Sequence, residues 1–179
     1  MNAGWGILWA VLLASPIMTP SRASAETSDR AVKAAFLPRF ARYATWPPGA
    51  MPKGSGPFVL CVIGADPFGA MLDNAARTQV VDGRRIAVRR LQSADEADGC
   101  HIAFVEGSRN QPVGQLLAAL AQKPVLTVTD ATNGGQHGII HFSIVAGRVR
   151  FFIDEASAAR RRIAISSRLL ALAIGVRQR

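Results

Sequence analysis

The chain reads as an α/β protein: a single-domain sandwich with a mostly parallel sheet, a C-terminal β-hairpin and an amphipathic C-terminal helix. Three observations predict it. Short apolar runs at 58–63, 84–91, 101–105 and 124–129 alternate with runs of helical period. Strands interleaved with helices require crossover connections and therefore mostly parallel pairing. Two more strand-like runs, 138–145 and 148–153, are separated only by Ala146-Gly147, the gap of a tight hairpin. A length of 179 residues, 49% of them hydrophobic, fits one globular domain.

Residues 1–25 stand apart. Trp5-Gly-Ile-Leu-Trp-Ala-Val-Leu-Leu-Ala14 is apolar, Pro16 and Pro20 follow, and Ala23-Ser-Ala25 is a small-residue A-x-A pattern. This is the form of a cleaved secretory signal, although no Lys or Arg precedes the apolar run. The run is too short to span about 30 Å of hydrocarbon as a helix, and an uncleaved anchor is the rival reading. The folded domain is therefore expected over 26–179, in the periplasm.

Residues 27–46 have helical period, with Val32, Phe36, Phe40 and Tyr43 on one stripe. Pro38 inside that run removes a hydrogen bond and predicts a kink. Trp46-Pro-Pro-Gly49 ends the helix. The strand at 58–63 feeds Gly64-Ala-Asp-Pro-Phe-Gly69, whose two glycines have P-loop spacing. Ala70 and Met71 stand where a phosphate loop needs Lys and Ser or Thr, and Asp66 would repel phosphate. The plainer reading is a helix over 68–76, with Asp66 as its N-cap and Pro67 at its first position.

A strand over 84–91, a strand over 101–105, a helix over 113–121 with Leu116, Leu117 and Leu120, and a strand over 124–129 follow. In the last strand of the hairpin, Phe151 and Ile153 share one face; Arg148, Arg150 and Phe152 share the other. From Asp154 to the end, apolar residues from Ala156 to Val176 fill one broad arc of a helical wheel. Arg160, Arg161 and Arg168 lie opposite and are candidate partner contacts; a plain solvated face is the alternative. Arg162 falls within the apolar arc and is expected to snorkel outward; burial against a carboxylate is the alternative.

Charge and chemistry narrow the function. The formal charge is +9, from 21 basic and 12 acidic residues, but the basic residues are spread along the chain, and no nucleic-acid partner is expected. Export makes a Cys61–Cys100 disulfide the expected state of the two cysteines, stabilising by about 4 kcal/mol in the chain-entropy model; two buried free thiols are the alternative. His137 and His141 fall on loop and strand, roughly 13 Å apart if extended, so no metal site is expected. No nucleophile elbow or paired catalytic carboxylates stand out, and neither enzyme activity nor a cofactor is expected. Asp66, Glu106, Ser108 and Asp130 follow the carboxyl ends of parallel strands, where α/β sheets bind ligands. They are candidate ligand residues; helix and turn capping is the alternative.

Seven stretches in order resemble one family of exported regulators. They are Lys33-Ala-Ala-Phe-Leu37 with Ala44-Thr-Trp-Pro47, Phe58-Val-Leu-Cys-Val-Ile-Gly-Ala-Asp-Pro-Phe-Gly69, Gly83-Arg-Arg-Ile-Ala-Val-Arg-Arg-Leu91, Cys100-His-Ile-Ala-Phe-Val105, Pro124-Val-Leu-Thr-Val-Thr-Asp130, Arg148-Val-Arg-Phe151 and Ile165-Ser-Ser-Arg-Leu-Leu170. Together they resemble the YfiR-like periplasmic family, over residues 31–175. The resemblance implies a compact, often dimeric α/β sandwich without catalytic activity. It further implies a repressor of an inner-membrane diguanylate cyclase, acting on its periplasmic domain and limiting cyclic di-GMP and biofilm formation. An outer-membrane lipoprotein is an implied second partner, and a histidine kinase an alternative receptor. Cys61 and Cys100 fall where the family has a cysteine pair; a second pair near 135–142 is absent here.

Overall fold

The computed structural model describes residues 22–52, 54–108, 110–130 and 135–178. The apolar run of the expected signal segment lies outside them. The helix α1 (Arg22–Phe40) runs into a 3-10 turn (Ala41–Tyr43) and a two-residue strand, β1 (Ala44–Thr45). The strand β2 (Phe58–Ile63) follows, then α2 (Ala70–Arg77), β3 (Val80–Val81), β4 (Arg84–Leu91), β5 (Ile102–Val105) and α3 (Val113–Ala119). The second half contains β6 (Leu126–Asp130), β7 (Ile140–Val145), β8 (Arg148–Asp154), α4 (Glu155–Arg160), β9 (Ala164–Ile165), α5 (Ser167–Leu170) and β10 (Gly175–Arg177).

Eight strands form one sheet in the order β10-β8-β7-β6-β5-β2-β4-β3. Pairing is parallel except for the β7–β8 hairpin and the β3–β4 ribbon, as the alternating sequence pattern predicts. The α1 and α2 helices cover one face. There Leu37 and Phe40 meet Leu60, Phe104, Phe142 and Phe151 in the larger core. The α3 helix covers part of the other face, packing Leu116 and Leu120 with Cys61, Ile63, Ala103 and Val105. Two-residue periodicity in each strand separates the cores: Leu60 and Val62 face one, Cys61 and Ile63 the other.

The hairpin turns at Ala146 (φ 48°) and Gly147 (φ 69°). Two successive left-handed residues are what a two-residue turn of matching twist requires. Trp46 is pinned inside the fold, its indole N–H donating to the His101 carbonyl at 3.0 Å.

Three local expectations need correction. The first helix ends at Phe40 instead of continuing to Trp46, and its buried edge is rotated: Leu37 is fully buried, whereas Val32 is exposed. The stripe drawn from aromatic spacing missed Leu37 and Ala34, which the sheet selects. The second helix starts at Ala70, after Gly69 in a left-handed conformation. Asp66 still caps, but it caps the preceding turn: Oδ1 accepts from the Phe68 and Gly69 amides at 2.8 and 3.1 Å.

The third concerns the C-terminal stretch, which starts as a helix at Glu155 but is not continuous. Arg162, with φ 57°, stops α4 and points into solvent. Ile163 and Ile165 are buried and Ala164 is exposed, a two-residue period. The short β9 then pairs with β1. Ser166 caps α5 through its side chain, which accepts from the Leu169 amide. The last described strand, β10, adds to β8 in parallel. A broad helical arc also contains residues two apart, so the wheel alone could not separate a helix from this broken course.

Candidate functional site

At the carboxyl edge of the parallel strands the chain order reverses between β2 and β5. The loop after β2 leads to α2 on one face and the loop after β5 leads to α3 on the other. This is where open α/β sheets form crevices. Gly64 (φ 91°) lies at the reversal, and a Cβ on it would fall 1.9 Å from the Glu106 carbonyl oxygen. The glycine allows two loops to touch; it does not cradle a phosphate.

Two of the four candidate ligand residues meet here. Glu106 and Asp130 line one depression of about 400 Å³ together with Lys33, Arg30 and Phe68. Lys33 is buried, and its Nζ donates to Asp130 Oδ2 at 2.6 Å. Asp66 lies apart in an ion network: Arg90 Nε donates to its Oδ2 at 2.7 Å, and the same guanidinium reaches Asp73 and the Gly69 carbonyl. These hydrogen bonds hold Asp73 below, and Arg90 above, its ordinary range. Ser108 is exposed, and its hydroxyl accepts from the Gln111 amide at 3.1 Å.

The sequence reading missed Lys33. It sits one turn from Leu37 on the buried arc, and a lysine there requires a carboxylate. Its partner lies 97 residues away in the chain.

A larger depression, about 560 Å³, opens on the sheet face that α3 leaves uncovered. His137, His141, Phe152, Asp154 and Arg177 are among its walls. Contrary to the extended estimate, the His137 and His141 rings stack with centroids 3.7 Å apart. The reason is that β7 begins only at Ile140; residues 135–139 fold back across Thr127 and Thr129 instead of continuing as strand.

Hydrogen bonding ties His141 to β6. The Gly138 amide donates to Thr129 Oγ1 at 2.9 Å, and the same hydroxyl shares a hydrogen bond with His141 Nδ1, also at 2.9 Å. Burial holds His141 below the usual imidazole range; His137 adds to this and Asp130 opposes it. Burial works against the Asp154 carboxylate, yet Arg177 and Ser157 hold it ionised below the usual range.

Of the candidate partner arginines, Arg160 and Arg161 border one depression, with Gln122 and Pro124. Arg160 is exposed, donating to Ser157 Oγ, at the end of α4. Arg161 is half-buried, its Nη1 donating to the Val125 carbonyl at 2.9 Å and Thr127 Oγ1 at 3.2 Å. Arg168 borders a different depression, with Arg42 and Tyr43.

Cys61 and Cys100 form a disulfide joining β2 to the turn before β5, with Cα atoms 5.9 Å apart. Neither sulfur is a free nucleophile. Among the described residues, no group of three metal-ligating side chains converges and no helix is long and apolar enough to cross a membrane.

No curated protein matches the chain. The family model for YfiR/HmsC-like proteins does, over residues 30–174, from the middle of α1 to the residue before β10. That span includes both cores and the disulfide, and the chain therefore belongs to the YfiR/HmsC-like family.

Proposed function

We propose that this chain is an exported regulator that docks on the periplasmic domain of an inner-membrane diguanylate cyclase and lowers its output. The observation that carries this reading is the family match across 30–174. The disulfide supports it, because such bonds persist in oxidising compartments. A regulator without chemistry of its own acts by binding one receptor conformation better than another, and its effect is bounded by that difference in affinity. Here the rigid, disulfide-tied sheet supplies the preformed surface, and a homodimer would present it twice. Deleting the gene should raise cyclic di-GMP and biofilm. Unchanged cyclic di-GMP, with no membrane receptor recovered by crosslinking in intact cells, would overturn the reading.

A second reading is favoured by one observation, the charged depression where Glu106 and Asp130 meet Lys33. In it the domain senses a small polar molecule and passes the signal to another receptor, such as a histidine kinase. A thermal-shift screen of small zwitterions and organic acids tests it. A stabilising hit abolished by Glu106→Gln supports sensing; no hit across the panel removes it.

A further inference from the structure

We propose that the tip of the β7–β8 hairpin inserts into the surface of an anionic lipid bilayer. Ile144 and Val145 are consecutive residues at the end of β7 and are 43% and 45% exposed. Being consecutive in a strand, they project from opposite faces of the hairpin. A protein partner laid on a sheet covers one face. An aliphatic wedge open on both sides suits a fluid apolar phase.

Charge complementarity selects the kind of lipid. Arg148 and Arg150 follow the turn, both exposed, and pair in register with Val145 and Ser143. They share the face that carries Val145 and Phe152, which is itself 40% exposed. Neither arginine forms a salt bridge among the described residues. Two guanidinium groups beside an apolar tip place cation at headgroup depth while their stems lie along the acyl boundary.

Ile144 borders a depression that it shares with Glu26, Asp29 and Arg30, in the early turns of α1. Four carboxylates line that side, Glu26, Asp29, Glu106 and Asp130, of which Glu26 pairs with Arg30 and Asp130 with Lys33. They lie across the hairpin from Arg148 and Arg150 and limit insertion to the tip.

The inference needs export but not the identity of the receptor, so vesicle binding and cyclic di-GMP are read separately. The test is co-sedimentation of the exported protein with vesicles of equimolar phosphatidylglycerol and phosphatidylcholine, against phosphatidylcholine alone. Binding should favour the anionic vesicles by at least about tenfold and fall as salt rises. Arg148→Gln with Arg150→Gln should weaken it about thirtyfold at low salt, roughly fivefold for each charge. Ile144→Ser with Val145→Ser should weaken it about tenfold. No sedimentation with anionic vesicles overturns the proposal, as does equal binding to both vesicle types or salt-independent binding. Tip variants that bind vesicles normally but lose a cyclase's periplasmic domain would make the tip a protein contact and overturn it too.

Discussion

Strands β2, β5 and β6 are covered on both faces, whereas β7, β8 and β10 are covered on one. In the first group nearly every residue is buried, and the disulfide ties β2 to the approach to β5. In the second, burial decays along β7 from Ile140 to Val145 and alternates along β8. Both groups belong to one sheet with continuous hydrogen bonding. The difference teaches that backbone pairing fixes the architecture, while side-chain cover decides which half carries stability and which remains available for contacts.

The largest expected effect tests that division directly. Phe104 is fully buried in β5 and meets the Phe68 ring edge-on at 4.7 Å. Phe104→Ala should cost about 3–5 kcal/mol, the range for truncating a buried aromatic. Phe152→Ala, on the open face of β8, should cost less than about 1 kcal/mol, because most of what it loses is partly solvated surface. Urea denaturation of the two variants checks both values. Equal losses would mean that the open face is covered in solution.

Next in size is the disulfide. The two cysteines are 39 residues apart in sequence, and removing the bond by Cys61→Ala with Cys100→Ala should cost about 2–4 kcal/mol. The loss should appear mainly in the doubly covered half, where amide exchange of β2 and β5 would accelerate more than that of β8. A uniform acceleration would show that the two halves unfold as one cooperative unit.

How far the sequence showed this division depends on where each residue's partners lie. The covered strands were legible because a strand buried on both faces needs a near-continuous apolar run, as in Phe58–Ile63. The hairpin was legible because its turn residues are adjacent. The stacked histidines were not, since stacking depends on residues 135–139 folding back over Thr127 and Thr129. Lys33 was hidden because its carboxylate comes from β6. The C-terminal stretch misled because Ile163 and Ile165 suit a helical arc and a strand equally. The decision falls to pairing with β1, a contact no local pattern carries.

The pH dependence offers a smaller and sharper contrast, because each half holds one buried histidine. His101, beside β2, accepts the Val59 amide on Nδ1 at 3.0 Å, and burial first of all holds it below the usual imidazole range. His141 in β7 is depressed for the same leading reason. Both are neutral in the fold. Unfolded histidine titrates near about 6.5. Above that pH neither state gains protons and stability is full. As pH falls through 6.5 the unfolded chain takes up protons first, and stability declines until the folded imidazoles titrate. The denaturation midpoint should therefore drop between neutral and mildly acidic pH. His101→Asn should flatten this slope more than His141→Asn, because protonating His101 sets its Nδ1 against the Val59 amide donor, whereas the Thr129 hydroxyl can turn to accept from a protonated His141. The reverse order would place the acid-sensitive point in the open half.

The smallest expected effect concerns two glycines that contact chain from opposite halves. At Gly64 an added Cβ would meet backbone, the Glu106 carbonyl, in a left-handed conformation, and nothing there can yield. At Gly175 it would meet Phe152 Cδ1 at 2.8 Å, an atom of an exposed aromatic side chain, and the backbone there is not left-handed. The ring can swing toward solvent by a change of rotamer, at a cost of about 1 kcal/mol or less. Gly175→Ala should therefore leave the denaturation midpoint almost unchanged. Its effect should be local, moving the Phe152 ring and the wall of the depression it shares with His141. Aromatic proton shifts of Phe152 and His141 report that movement. A loss of several kcal/mol instead would mean that Phe152 is held in place by contacts on its outer side, and the open half of the sheet would not be open.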